Sequence, residues 1–546
     1  MNTKVDHATR HGAIAAVESE GALAGAEALT LGGNAADAAI AAAFAQSVVD
    51  PMRCSIGGGA HVLYYDAATK KGVTIDAGGV APLGATSTMF TLEGQWENAY
   101  VVTGGLNRWG YRAQAVPGFV AGLRRLFDEF ASTRVTWRQL LEPSIRLAAE
   151  GFAVHPHLYA AWQPASAPSN ESVLSGDGYA ALSYTEESKR VFLHDDGSVY
   201  RIGEVLCQPD LACVLESIAA EGADSFYRGE IAERIAEDFA ANGGLLSLED
   251  LHAFAPVVEP PVECAFGEYT VLTESAPSVG PTILQILQIL DGWDLGELGW
   301  NTPSYLDRIA NAMYLALCER DEFAGDPLFV DVPLGRLLSS DHVVELRELA
   351  EERRTRISRE VAFEGARETT HVAAIDTAGN ACGITHSVGL GTGIVTPGLG
   401  FMHNCHMVNF DPRPGTPNEI APGKRGTQGG APMIVLAGSE AVLSMGSPAG
   451  AYKITALVQV FLNVAVFGMT LAEAVAADRI HVRTVPDAIV VERRFDPRAA
   501  VALAQCGHDI VLDDYGARVA AVSRDPATGE LVAASDPRGD RGAAMV

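Results

Sequence analysis

Two runs that mix apolar and hydroxyl side chains bracket a turn at Asp376-Thr377-Ala378-Gly379-Asn380, and this hairpin constrains the fold more than any other stretch. The turn reads as a three-residue loop over Thr377–Gly379, with Gly379 at the position that needs positive φ. Asp376 then faces Asn380, and counting outward sets Thr369 opposite Ser387. The first strand starts at Thr369-Thr370-His371, and the return strand is Ala381-Cys382-Gly383-Ile384-Thr385-His386-Ser387. Side chains alternate across a strand, so Thr385 and Ser387 share a face and flank Thr369.

A threonine hydroxyl is a weak nucleophile at neutral pH. It becomes a good one when its own α-amine takes the proton, which requires it to be the first residue of a chain. Thr369 lies mid-chain, so this chemistry requires scission of the peptide bond after Glu368, with Thr369 attacking the preceding carbonyl. Ser387 and Thr385 would hydrogen-bond the nucleophile or steady its amine. The competing reading is a threonine-rich surface hairpin with no chemistry. A second element favours the chemical one. Ala441–Met445 reads as a strand, Gly446-Ser447-Pro448-Ala449-Gly450 as a small-residue turn, and Ile454–Phe467 as an apolar helix. Such a turn presents backbone N–H groups at a helix start, where a developing oxyanion is stabilised.

With these elements placed, the chain resembles the gamma-glutamyltransferase family of N-terminal-nucleophile hydrolases over nearly its whole length. The resemblance rests on Gly32-Gly33-Asn34-Ala35-Ala36-Asp37, Asp50-Pro51, Ile56-Gly57-Gly58-Gly59 and Val116-Pro117-Gly118-Phe119. It continues through Glu319-Arg320-Asp321, Gly325-Asp326-Pro327, Thr369-Thr370-His371, Gly391-Thr392-Gly393 and Gly446-Ser447-Pro448. It implies an α/β fold, a four-layer αββα sandwich assembled from both products of self-cleavage: residues 1–368 as the large subunit and 369–546 as the small one. It also implies Thr369 as nucleophile, Ser387 in place of a second threonine, and Ala449 and Gly450 at the pair whose backbone forms the oxyanion hole.

The residues that hold a glutamyl group in the family are not kept. The clamping arginine position falls on Gly78, the serine pair on Gln428-Gly429, and the acidic residue that binds the substrate α-amine on Asn409, with His406 replacing a polar amide nearby. A bidentate arginine contact has no replacement at Gly78, and neutral Asn does not offset an ammonium. The expected substrate is therefore a small carboxylate-bearing amide rather than a gamma-glutamyl one, as in the family's oxamate amidohydrolases and cephalosporin acylases. Arg53, Lys424 and Arg425 are the basic candidates for the carboxylate, with His406 and Asn409 shaping the acyl pocket; a structural ion pair is the plainer reading of Arg53. The short Pro- and Gly-rich stretch from Asn409 to Arg425 suggests an open, wet site that favours water as acceptor. Two alternatives stay open: a true gamma-glutamyl hydrolase or transpeptidase acting on glutathione-like substrates, and an unprocessed, inactive binding protein.

A net charge of −29 over 546 residues argues against nucleic acid and anionic membranes as partners. The partner expected is a small-molecule amide, and the subunits would form an α/β heterodimer open to further oligomerisation. No cofactor or metal is expected: the 8 cysteines show no zinc spacing, and the glycine runs at 57–59 and 389–393 lack a following helix. The N-terminus lacks the apolar core of a signal peptide and no run of eighteen apolar residues is present, so a cytoplasmic location is expected. Helices are expected over Gly21–Leu31, Ala35–Val49 with Asn34 as cap, Pro303–Phe323 and Leu337–Arg353, with a helical lobe near 166–266.

Overall fold

The loop chemistry at Asp376 ties the centre of the molecule together. Gly379 adopts φ +90°, and Asp376 Oδ1 accepts the N–H groups of Ala378 and Asn380 at 2.9 and 3.0 Å. Its Oδ2 accepts the N–H of Ala35 at 3.1 Å, so the same carboxylate closes the hairpin and meets the first turn of a helix. The computed structural model describes residues 11–96, 99–163, 178–352, 369–427, 429–485, 487–513, 516–539 and 542–546. Glu368 and Gln428 lie outside the described residues.

The hairpin strands, Thr370–Asp376 and Ala381–Ser387, are central in a seven-stranded antiparallel sheet. Its spatial order is Gly542–Met545, Gly12–Ala16, Thr370–Asp376, Ala381–Ser387, Gly59–Asp66, Lys71–Ala77 and Val257–Glu259. Thr370 pairs with His386 and Ile375 with Ala381, the register that the loop predicts. A second antiparallel sheet of six strands runs Leu531–Ser535, Ala520–Arg524, Glu440–Gly446, Met433–Ala437, Tyr269–Thr273 and Val262–Phe266. The two sheets bury between them small and branched side chains, among them Ala13, Ala373, Ile375, Ile434 and Val522. Inward and outward residues alternate along each strand, so one strand serves two apolar layers.

Helices cover both outer faces, completing the αββα order. All fifteen residues of Ala35–Val49 are buried. Its start is set by a capping box in which Asn34 accepts from Ala36 and Asp37 while Asp37 reaches back to the Asn34 N–H. Alanine along this helix lets it lie close to helices Ser19–Thr30 and Trp137–Glu150 and to the hairpin. Phe44 anchors it, edge-on to Phe119 and Trp137 with centroids at 5.2 and 5.5 Å; burying one such ring contributes about 1.5–3 kcal/mol. On the other face, Gly280–Leu290 and Tyr452–Ala465 pack against the six-stranded sheet, and Pro303–Phe323 packs on Gly280–Leu290 in the same core.

Two boundaries differ from expectation. The helix expected over Leu337–Arg353 is broken: one turn, Leu334–Leu337, precedes Ser340–Glu352. The side chain of Ser339 accepts the N–H of His342 and restarts the helix. Among the described residues, 178–253 is largely helical, but Val257–Glu259 and Val262–Phe266 are edge strands, one in each sheet, joined at Pro260-Pro261. Proline at the ends of edge strands costs no ladder hydrogen bond.

Candidate active site

The hairpin register carries Thr369 to the end of its strand, beyond the Thr370–His386 pair and opposite Ser387. A polar network fixes this strand end from beneath. The Thr370 hydroxyl donates to the Glu18 carboxylate at 2.6 Å, Gln46 Nε2 donates to Thr370 Oγ1 at 2.9 Å, and Gln46 Oε1 meets His386 Nε2 at 2.9 Å. Every one of these groups is buried. Breaking a shared buried contact would leave its partner unsatisfied, so the network holds Thr369 and Ser387 by a penalty on misplacement.

Thr369, Thr385, Ser387 and Gly450 line one cavity. The Ser387 oxygen accepts the N–H of Gly389 at 2.7 Å, which orients the hydroxyl. The Thr385 hydroxyl meets His371 Nδ1 at 2.9 Å. His371 is fully buried and held well below the usual imidazole range by burial, then by the nearby Lys453 and His386. Its ring leaves no room for a side chain at Gly446, where a Cβ would lie 2.3 Å from it. That close approach seats the second sheet against the hairpin and delivers the following turn to the cavity.

In that turn Ala449 and Gly450 take φ +83° and +51°. A left-handed backbone is unusual for alanine and stores about 1–2 kcal/mol. Such strain is found where a backbone must aim its N–H groups, and helix Tyr452–Ala465 begins immediately after. Lys453, in its first turn, donates to the Gly429 carbonyl. Burial, then the Arg320 charge, pushes its amine down to about 7.

His406, Asn409 and Gly429 also line the cavity. His406 Nδ1 donates to the Gly78 carbonyl at 3.0 Å, and burial lowers it to about 4, so the ring is neutral at pH 7. The basic candidates fall elsewhere. Arg53 is not on the cavity wall; it is buried and ion-paired with Asp50 at 3.0 Å. Arg425 is held between Asp326 at 2.6 Å and Asp76 at 2.8 Å. Lys424 donates to the Pro417 carbonyl at 2.7 Å.

Among the described residues, the Arg or Lys that lines the cavity is Arg320, from helix Pro303–Phe323, 3.7 Å from Asp321. It lies in Glu319-Arg320-Asp321, but nothing local to it marks the direction of its side chain. His61, His386 and Thr427 line the cavity as well. Among the described residues, no Asp or Glu does. His61 Nδ1, Asp76 and Glu274 place ligand-type atoms within 4.8 Å of one another, the spacing of a possible cation site. Asp76 and His61 Nδ1 are already engaged within and around this group. Asp76 accepts from the Gly78 N–H and from Arg425, and Glu274 is 2.7 Å from His61 Nδ1.

The gamma-glutamyltranspeptidase family profile matches residues 21–546. The chain is 32% identical to the glutathione hydrolase proenzyme of Escherichia coli (strain K12), over 97% of this chain and 90% of that protein. It is 33% identical to the acylase ACY 1 proenzyme of Pseudomonas sp. (strain SE83), over 89% of this chain and 85% of that protein. The crystal structure of cephalosporin acylase from Bacillus halodurans superposes with a TM-score of 0.85 at 26% identity, covering 100% of this chain and 98% of that one. Helicobacter pylori gamma-glutamyltranspeptidase gives a TM-score of 0.55 at 30% identity, over 64% of this chain and 93% of that one. Sheet order, cavity and relatives agree: the chain belongs to the gamma-glutamyltranspeptidase family of amide-cleaving N-terminal-nucleophile enzymes.

Proposed function

We propose that this protein is a self-processing amidohydrolase that cleaves a small carboxylate-bearing amide through an acyl-enzyme on Thr369. The observation that carries the reading is the meeting of three hydroxyls, Thr369, Thr385 and Ser387, with the strained Ala449-Gly450 turn at one cavity. Thr369 Oγ1 attacks the carbonyl of Glu368, the peptide nitrogen leaves as the new α-amine, and water cleaves the ester to give fragments 1–368 and 369–546, which stay together as a heterodimer. In turnover, that amine takes the Oγ1 proton as Oγ1 attacks the substrate carbonyl. The oxyanion faces the Ala449-Gly450 backbone, the amine product departs with the proton, and water releases the acid.

The charge of the wall favours a substrate with an anionic end and no α-ammonium. Arg320 is there, Asn409 is neutral, and no carboxylate lines the described wall. A second reading is a gamma-glutamyl hydrolase or transpeptidase with a rearranged clamp, favoured by the relatives named glutathione hydrolase proenzyme. The purified protein assayed on gamma-glutamyl, oxamate-like and acyl-side-chain amides separates the two: the first reading requires turnover of the carboxylate-bearing amides and poor turnover of the gamma-glutamyl ones.

A further inference from the structure

Lys453 is the second residue of helix Tyr452–Ala465, two residues beyond the Ala449-Gly450 turn's end, and it is buried. Its surroundings make a cation costly there. The first turn of a helix is the positive end of its dipole. The Arg320 charge repels it. Among the described residues its polar contact is the Gly429 carbonyl, and no carboxylate pairs with it. An apolar side chain of similar length would avoid the whole cost, so the amine is a candidate for a role that needs its charge.

Its position joins it to the nucleophile. Gly429 lines the cavity with Thr369. A Cβ at Gly429 would lie 3.0 Å from Lys453 Nζ, so the absent side chain leaves the amine directly behind the wall. The Lys453 charge also reaches His371, two residues along the strand from Thr369 and on the same face. The wall itself carries Arg320, His61, His386 and His406, and burial keeps the last two neutral at pH 7. The carboxylates of this region stand behind other groups: Glu18 under Thr370, Glu274 behind His61 and Asp321 beside Arg320. Lys453 gains its proton near pH 7. Below that, two cations oppose a third on the amine that scission would create at Thr369, because protons on neighbouring sites compete.

We propose that Lys453 is a positioning residue whose charge, set behind Gly429, opposes protonation of the Thr369 α-amine and so keeps the catalytic base active in mildly acidic solution. This rests on the self-processing reading above and assigns the residue that tunes its base. The amine must be uncharged to take the Oγ1 proton. Lys453 acts through that amine and not on the substrate.

The test titrates the Thr369 amine in the purified, processed protein, for the wild type, Lys453→Gln and Lys453→Met. Short pulses of acetic anhydride label unprotonated amines, and mass spectrometry of the fragment beginning at Thr369 reads the labelled fraction at each pH. The wild-type amine titrates below the ordinary terminal-amine value of about 7.7–8.0. In both variants its midpoint rises by about half a pH unit or more, and the acid limb of kcat/KM on an accepted anilide moves with it. Lys453→Gln keeps a donor for the Gly429 carbonyl and drops the charge, so its shift assigns the effect to charge rather than to that contact. A wild-type midpoint in Lys453→Gln overturns the proposal. So does a wild-type amine that titrates at or above the ordinary value, a result that needs no variant to fold. The two claims separate cleanly. An uncut wild-type chain has no Thr369 amine and overturns the self-processing reading together with the proposal, whereas a cut chain with an unshifted midpoint overturns the proposal alone.

Discussion

Thr370 pairs with His386 across the central hairpin, and this single register sets Thr369 opposite Ser387 at the cavity. A one-residue slip would turn both hydroxyls to the other face, so the pairing is a condition for any chemistry at Thr369. The Glu18–Gln46–Thr370 network stands guard over it.

In the proposed mechanism Ser387 supplies a hydroxyl to the nucleophile, so Ser387→Ala should lower kcat by about 10²-fold, the scale seen when one preorganised donor is removed. Ser387→Thr keeps the hydroxyl and should retain most of the rate. Steady-state kinetics on an accepted amide, with fragment composition checked by mass, reads both. Equal activity of Ser387→Ala and wild type would remove Ser387 from the mechanism.

Ala449 occupies a left-handed conformation at φ +83°. Ala449→Gly relieves that strain and should raise stability by roughly 0.5–1 kcal/mol, since the backbone penalty outweighs the entropy of glycine. Activity should persist, because the N–H groups keep their direction. Ala449→Val should lose both stability and activity. A lower melting temperature for Ala449→Gly would show that the turn is not strained at this position.

Lys453 is a buried amine lowered from 10.5 to about 7, chiefly by burial and then by Arg320. Between those two values the unfolded chain holds more protons than the folded one. Stability from this group is therefore full above about 10.5, falls as pH drops, and is lost below about 7. Lys453→Met removes the titration. Its melting-temperature advantage over wild type should widen from pH 10 to pH 7 and then level off, at a cost in activity from the lost contact with the Gly429 carbonyl. Thermal melts of both proteins across that range check the sign, and a gap independent of pH contradicts it.

Gamma-glutamyl anilides should be poor substrates. Their α-ammonium would meet Asn409, neutral His406 and no carboxylate on the described wall, and an unpaired charge in such a site costs several kcal/mol. Aniline release at about 10 s⁻¹, the pace of an ordinary efficient enzyme, would favour the glutathione-type reading instead.

What the sequence made legible was local. Gly379 and Asp376 spelled the turn and through it the register; Asn34 spelled the start of a helix. What stayed hidden depended on partners far along the chain. Arg53 reads as a cation beside a glycine run, but Asp50, one turn back, already holds it. Arg425 is held by Asp326 and Asp76, one 99 and the other 349 residues distant. His61 meets Glu274, 213 residues away, just past a strand of the second sheet. Spacing along a chain carries no signal for such pairs, and the direction of Arg320 into the cavity is likewise set by how its helix docks.

The central claim is that Thr369 becomes a chain terminus. Intact mass and N-terminal sequencing of active, purified protein test it most directly. The account predicts two fragments, the smaller beginning Thr369-Thr370-His371, and a Thr369→Ala variant that remains one inactive chain of 57.5 kDa. An uncut wild-type chain of that mass with full amidase activity would contradict it.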